Sequence, residues 1–421
     1  MRPNAEQRPH QQALSFGPVD HFDVIHGLHN ASVAVCTKDS EWHQRVYQHP
    51  EARAVLPDLT SFDDWDVYMS QNGFNPYVEY LTRQLRHVQV LTSCWADLDY
   101  YKQDELRDLQ VEDVAERLLD DHPWLPEPTL IINSGRGGYL HWVFDDRVHT
   151  SSKQMARWSF AMDMLARLLK PYGADPQAID AARVLRVVGS TNTKNGEPVV
   201  LASNVVGRKV NFGKFTSTVL DSTQHLRTHR KVIPLPATTG EPSSKPLTGK
   251  KPVFSESGYR LHLDRMEDYR RLVQLRGGKL TDCRKRISYL YAVSLSWFCR
   301  SREQAINDMT AFIAENFAQP GRYAAKGVEN ILELMDQAAA GITKIHQGKG
   351  VDPRHKTKNQ TIIEYLEITA QEQQKLQTII GSDEKSRRKD IKRDRDRDRA
   401  RQKRRQAGMV PQAEYTKKLR S

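Results

Sequence analysis

The stretch Val88 to Asp99 (VQVLTSCWADLD) limits what this chain can become more than any other. Apolar and β-branched residues alternate and then run together through Trp95, the pattern of a buried strand. Without a turn residue the strand then delivers Asp97 and Asp99. Side chains two apart on a strand share a face, their Cα atoms roughly 6.5 to 7 Å apart. Two carboxylates aimed together from the end of an apolar strand repel each other unless a cation stands between them, and hard oxygen ligands suit Mg²⁺ or Mn²⁺. For an isolated D-x-D the alternative is a strand that ends at Ala96 with both acids solvated in a loop. The rest of the chain decides between them.

Two later stretches carry polar groups of a complementary kind. Thr129 to Phe144 (TLIINSGRGGYLHWVF) reads strand, glycine-rich turn, strand. Gly135, Gly137 and Gly138 let the backbone approach a ligand closely and offer bare N–H groups to an anion. Ser134 and Arg136 add a hydroxyl and a guanidinium fork suited to phosphate oxygens. On the strand that follows, Tyr139 and His141 face one way and Leu140, Trp142 and Phe144 the other. An amphipathic helix is predicted over Lys153–Lys170, with Trp158, Met162, Leu165, Leu168 and Leu169 on its core side and Pro171 as its stop. Ala174 to Gly196 (ADPQAIDAARVLRVVGSTNTKNG) then brings Asp175 and Asp180, Arg183 and Arg186, and a turn with Asn192 and Lys194. A plain hairpin or a surface ion-pair network explains either stretch singly. In order, the acid pair, the polar glycine turn and the acids with basics supply metal ligands, a triphosphate cradle and a third carboxylate. That inventory fits phosphoryl transfer with two metal ions.

The ordered set of D-L-D at a strand end, S-G-R-G before a strand, and D-x-x-R-x-x-R-x-x-G-[ST]-x-N-x-K resembles the archaeo-eukaryotic primase superfamily. More closely it is similar to the primase-type replication proteins of bacterial plasmids and mobile elements, as is the stretch DVYMSQNGF at Asp66–Phe74. The resemblance covers roughly residues 60 to 200. It implies an α+β fold with an RRM-like antiparallel-sheet catalytic domain. It also implies catalytic, metal-binding roles for Asp97, Asp99 and Asp180, with Mg²⁺ or Mn²⁺ as cofactor and NTP or dNTP as substrate. Ser134, Gly135, Arg136 and His141 fall in its nucleotide-binding motif, with Arg183, Arg186 and Lys194 as nucleotide or template contacts. Superfamily members often carry the motif's histidine at the position of Tyr139, so whether Tyr139 or His141 touches the triphosphate stays open. Asp175 likewise competes with Asp180 as third ligand, and Val188 stands where relatives tend to have proline.

Elsewhere the residues set limits rather than chemistry. Cys36, Cys94, Cys283 and Cys299 form no C-x-x-C pair, which argues against a zinc module or disulfide framework and for a reducing cytoplasm. No uncharged apolar run reaches the roughly 18 residues of a membrane span, and residues 1–30 lack a signal-peptide core. His10, His21, His26 and His29 are irregularly spaced and are not read as a metal site. A charged helix is expected over residues 40–60, a short strand closed by an Asn-Gly turn over Asp66–Phe74, and a helix over Asp104–Leu119. The composition of Thr216–Ser257 is that of a mobile linker.

Asp264–Ile345 reads as a small helical bundle. Ile287, Leu290, Val293, Leu295, Trp297 and Phe298 have helical spacing, and further amphipathic helices follow at 302–317 and 326–344. Tyr289 and Tyr291 are read as core residues, not as the nucleophiles of a nicking enzyme. After a break at Gly348–His355 come short helices over Thr361–Leu366 and Thr369–Ile380. Ile362, Leu366, Ile368, Leu376 and Ile379 would make a miniature core, and Thr369 an N-cap, in a segment resembling a helix-turn-helix. Between Lys385 and Arg405 stand thirteen Lys or Arg and four Asp, so nearly all of the net charge of +11 sits there. Such a run suits nucleic acid phosphates, with Arg387, Arg388, Lys392, Arg393, Arg404 and Arg405 as contact candidates. Its Arg-Asp alternation fits either a solvated helix with i, i+4 pairs or a disordered tail. The expected division is a catalytic domain at 1–215, a linker at 216–260, a helical bundle at 261–347 and a helix-turn-helix-like DNA-binding segment at 348–421.

Two functions are expected from this. One is a primase or primase-polymerase of a plasmid or mobile element, working on single-stranded template, with double-stranded origin DNA and a replicative helicase as candidate partners and no membrane. The other is a non-enzymatic origin-binding initiator whose acid cluster is structural. A rolling-circle nickase is disfavoured, because the chain has no His-hydrophobic-His metal motif.

Overall fold

The structure, a computed structural model, describes residues 16–77, 83–203, 206–227, 231–232, 256–320, 324–339, 342–346, 349–354 and 357–407. His10 lies outside the described residues, as do 233–255 of the segment read as a linker. The described part of the N-terminal half is mixed helix and strand. Helix α1 (Pro18–His26) leads into β1 (Val33–Lys38), β2 (Trp42–Tyr47), α2 (His49–Thr60), β3 (Asp66–Ser70), β4 (Gly73–Phe74) and β5 (Val88–Leu98). Then follow α3 (Val111–Asp121), β6 (Leu130–Asn133), β7 (Gly138–His149), α4 (Ser152–Leu168), β8 (Val184–Arg186), β9 (Thr191–Asn192), β10 (Glu197–Pro198), β11 (Val200–Leu201) and α5 (Phe212–Ser222).

Two larger antiparallel sheets and the two-stranded β9–β10 ribbon result. The larger has the order β11-β6-β7-β5-β4 and the smaller β2-β1-β3-β8. β5 and β7 are central because their apolar residues are buried on both faces. Trp142 and Phe144 pack against Phe215 and Phe212 of α5, with ring centroids 5.6 and 5.2 Å apart. Tyr139 and His141, one residue out of phase, face the other way. Helix α4 is pinned to β5 by the Trp158 indole, which donates to the Ser93 carbonyl at 2.8 Å and packs 5.3 Å from Trp95.

Three local expectations differ. Residues 42–47 form β2 instead of the first part of a helix, paired with β1 along its full length. Its side chains are largely exposed, so the strand shows no core pattern and is set by its partner. α3 begins at Val111, not Asp104, where Gln110 caps it and its N–H is answered by Asp113 at 3.3 Å. The stretch 66–74 is divided between the two sheets instead of closing on itself. Asn72 holds the crossing, donating to the Ala181 carbonyl and accepting from the Thr92 N–H, both at 3.0 Å.

The C-terminal half holds α6 (Glu256–Leu275), α7 (Arg284–Leu295), α8 (Arg302–Asn316) and α9 (Ala324–Ala339). A three-stranded sheet joins β12 (Lys231–Val232), β13 (Ile342–His346) and β14 (Lys349–Val351). The predicted linker limits are therefore too wide, since α5 and α6 occupy both of its ends. Tyr291 is fully buried and stacks on Phe312 at 3.6 Å. The helices dock on the first half through Arg83 to Glu303, Arg86 to Glu315, and Asp308, which accepts from the Leu85 N–H at 3.0 Å.

Last come α10 (Asn359–Leu366), α11 (Ala370–Lys375) and α12 (Ser382–Gln406). Thr369 caps α11, accepting from the Glu372 N–H at 3.2 Å. Buried Asp268 of α6 accepts from three successive N–H groups, those of Gln377, Thr378 and Ile379, at 2.7, 2.6 and 2.8 Å. Ile362, Leu366, Ile368, Leu376 and Ile379 are buried. In α12 the Arg-Asp pairs are i, i+3: Asp390 with Arg393 at 3.1 Å, Asp394 with Arg397 at 3.6 Å, Asp398 with Arg401 at 3.7 Å. Among the described residues no helix is long and apolar enough to cross a membrane.

Candidate active site

The C-terminal end of β5 has two neighbours. On one side is β7, where Tyr139 stands opposite Asp97. On the other side the chain leaving α4 returns antiparallel. Asp99 donates its N–H to the Gly173 carbonyl at 2.9 Å, Asp175 donates its N–H to the Asp97 carbonyl at 2.8 Å, and Leu98 bridges Ala174. In that register Asp175 is directly across from Asp97, so Asp97, Asp99 and Asp175 share one face. Gly173 makes the approach possible. Its φ is +84°, and a Cβ there would lie 2.7 Å from the Asp99 carbonyl carbon and the Tyr100 nitrogen.

All three acids are half-buried. Burial, reinforced by the charges of Asp99 and Asp175, pushes the Asp97 carboxyl up to about 7 against the pull of Arg183 and Arg186. Lys102 forms an ion pair with Asp99. An open cleft of about 930 Å³ lies beside the acids, lined by Asp99, Lys102, Asp175, Lys170 and Arg167 among others.

Asp180 is placed elsewhere. It is buried, bonds Arg183 at 2.9 Å, and its charge acts on Asp308 and Cys299 toward the C-terminal helices. Of the two acids competing for the third position, the fold brings Asp175 to the pair. Among the described residues no three His, Cys, Asp or Glu groups are gathered closely enough to hold a metal ion as they stand. The donor chemistry nevertheless suits a hard divalent cation: three carboxylates on one face, one of them raised by burial and by the other two.

The β6–β7 hairpin carries the glycine-rich turn alongside. Gly135 has φ +91° and accepts no larger residue, because a Cβ would lie 2.7 Å from that of Asn192. The turn is tied to 191–196: Asn192 donates to the Ser134 carbonyl at 2.9 Å and Asn195 to the Gly135 carbonyl at 2.7 Å. Ser134 is buried, while Arg136 is exposed, lies 4.1 Å over the Tyr101 ring and donates to the Tyr101 hydroxyl at 2.6 Å. Lys194 is exposed on the same turn.

Arg186 bonds Asp66 at 2.8 Å and adjoins Tyr139. Burial opposes ionisation of Asp66, yet Arg186 and Thr193 hold its carboxyl below the usual range. His141 is fully enclosed, neither ring nitrogen having a hydrogen-bond partner, and burial drives it down to about 3. Tyr139 is buried as well, but the strand register sets Tyr139, not His141, across from Asp97. Gly173, Tyr101, Lys102, Asn195 and Asp66 were not singled out from the sequence. Only Gly173, after Lys-Pro-Tyr, carried a local signal, that of a left-handed helix cap.

No protein-family model matches the chain. It is 28% identical over 381 residues to a replication protein of Clostridium perfringens, across 88% of this chain and 80% of that protein. In structure it is similar to the AEP domain of the cyanophage S-2L primase-polymerase, with a TM-score of 0.35 and 15% identity over 47% of this chain and 94% of that one. The catalytic domain of primase RepB' in complex with initiator DNA gives 0.33 and 14% over 51% and 99%. Primase RepB' gives 0.32 and 15% over 77% and 99%.

Proposed function

We propose that this chain is a replication protein of a plasmid or mobile element that synthesises primers on single-stranded DNA by metal-dependent nucleotidyl transfer. One observation carries the reading: Asp97, Asp99 and Asp175 share a face at the end of β5, beside a glycine-rich hairpin turn. The 28% identical replication protein, matched over 88% of the chain, supports the replication role. Asp97, Asp99 and Asp175 would hold Mg²⁺ or Mn²⁺, which when bound supplies charge neutralisation at the phosphates and acidifies an attacking hydroxyl. Backbone N–H groups of the Ser134–Gly138 turn and the Arg136 guanidinium bind phosphate oxygens. Asn192 and Asn195 hold that turn in place, Lys194 adds positive charge beside it, and Arg183 and Arg186, paired with Asp180 and Asp66, place theirs near Asp97. Tyr139 takes the place read for His141, which serves as core. The basic face of α12 binds DNA.

The Lys102–Asp99 ion pair favours a second reading, in which a lysine permanently neutralises the acids of an initiator without chemistry. Primer synthesis from labelled nucleotides on single-stranded DNA, with Mg²⁺ or Mn²⁺, separates the two. Wild type yields metal-dependent products and Asp97→Ala/Asp99→Ala yields none. An inactive wild type that still binds origin DNA tightly establishes the initiator instead.

A further inference from the structure

One face of the smaller sheet is only partly covered: Arg83, the partner of Glu303, donates to Gln44 at 2.9 Å and Cys36 beside it is buried, while the rest has no role so far. Its register puts Gln44, Tyr68 and Arg186 in one cross-strand row and Trp42, Lys38 and Asp66 in the next, all on the same side. The opposite side carries Val35, Val67 and Met69 and is buried. On the first face the Trp42 ring lies 5.3 Å from that of Tyr68. The Arg186 guanidinium lies 5.1 Å from the centre of the same Tyr68 ring. Arg186 in turn adjoins Tyr139, which stands across from Asp97. Trp42, Tyr68, Arg186 and Tyr139 therefore form a contiguous aromatic and cationic track from the sheet edge to the acids, exposed at Trp42, half-buried at Tyr68 and buried at Arg186 and Tyr139.

The outer end of the track is open. Trp42 sits on an edge strand and is 39% exposed, although a large indole gains most when covered. Lys38, its register partner, is exposed, and so is Lys194 next to Thr193, which hydrogen-bonds Asp66 of the same row at 2.9 Å. Aromatic rings with interspersed cations suit a ligand that offers flat π-faces and negative charge at short repeat. Unpaired bases on a phosphate backbone do so, whereas duplex DNA keeps its base faces stacked inside. The bland alternative is that Trp42 merely shields Tyr68 from water.

The geometry points to Trp42 and Tyr68 as a base-stacking platform for single-stranded DNA, with Lys38 on its backbone, at the open end of the row that leads through Arg186 to Asp97. This rests on the primase reading for its purpose but not for its measurement.

The test is anisotropy of labelled oligodeoxynucleotides with the full-length chain, without nucleotide or divalent metal, for wild type, Trp42→Ala and Trp42→Phe. Trp42→Ala weakens single-strand binding roughly 5- to 100-fold, and Trp42→Phe restores most of it. An oligonucleotide of abasic sites, and a duplex of equal length, bind Trp42→Ala and wild type alike. Undiminished single-strand binding by Trp42→Ala overturns the platform. So does an equal loss for abasic and duplex ligands, which marks a structural role. Because the acids take no part in this readout, a stacking loss beside an inactive wild-type polymerisation assay keeps the platform and removes the primase. Unchanged binding beside active synthesis does the reverse.

Discussion

Gly173→Ala is the sharpest perturbation of the acid arrangement, because it touches no carboxylate. The residue sits at φ +84°, where a side chain costs about 1–2 kcal/mol. The added Cβ would also lie 2.7 Å from two backbone atoms of Asp99 and Tyr100, where ordinary contact starts at 3.4 Å. The two segments must therefore part by about 0.7 Å, the difference between those distances. That separation strains the Asp99–Gly173 and Asp175–Asp97 backbone bonds, each contributing about 1 kcal/mol. The expected loss of stability is about 2–4 kcal/mol. Synthesis falls further, since misplacing a reacting constellation by about 1 Å costs on the order of 100-fold. Denaturant unfolding gives the first quantity, and primer synthesis well below the melting temperature gives the second. A variant that loses stability but primes at the wild-type rate refutes the claim that Gly173 registers Asp175 against Asp97.

Three further outcomes are expected. Asp175→Asn abolishes the rise in melting temperature produced by Mn²⁺, whereas Asp180→Asn keeps that rise and lowers stability in all conditions by removing a buried partner of Arg183; equal behaviour of the two variants would show that Asp175 is not the third acid. Burial raises the Asp308 carboxyl from 3.8 to about 7, so the folded state favours its proton. Its contribution is fully present below about pH 4 and is lost as the pH climbs through about 7, on the order of 4 kcal/mol at most; Asp308→Asn should flatten that slope in urea melts taken from pH 4 to 8, and an unchanged slope places it elsewhere. Deleting residues 385–421 weakens DNA binding and reduces its salt dependence, while nucleotide protection of the acid site persists; an unaltered salt slope excludes α12 as the electrostatic contact.

How much of this was legible depended on the range of the interaction. The alternation through Val88–Leu98 and the glycines at 135–138 specify their strand and turn locally, and both lie where the sequence places them. β2 could not be read, because an exposed edge strand such as Trp42–Tyr47 presents no buried face and is selected by pairing with β1. The third acid was ambiguous for a similar reason. Asp175 and Asp180 are equivalent by spacing, and only the return of the chain past Leu98 separates them. Tyr139 and His141 share a strand face and are both buried; their neighbours separate them, Asp97 across from Tyr139 and His21 beside His141, which no local pattern encodes.

α12 can also be considered as a mechanical object. Glu384 is buried between Arg387 and Arg388, and Arg388 bonds the carbonyls of Gln373 and Leu376 at 2.9 and 2.7 Å, so the first turns are clamped to the body. From Lys389 through Arg404 every residue is exposed. A helix of 25 residues extends about 37 Å at 1.5 Å per residue. That is close to one turn of duplex DNA. The free part, Lys389–Arg404, is thus a cantilever reaching about 24 Å from its anchor, roughly two thirds of a duplex repeat, and inserting or removing a helical turn in it would change the distance at which the body sits from whatever the tip holds.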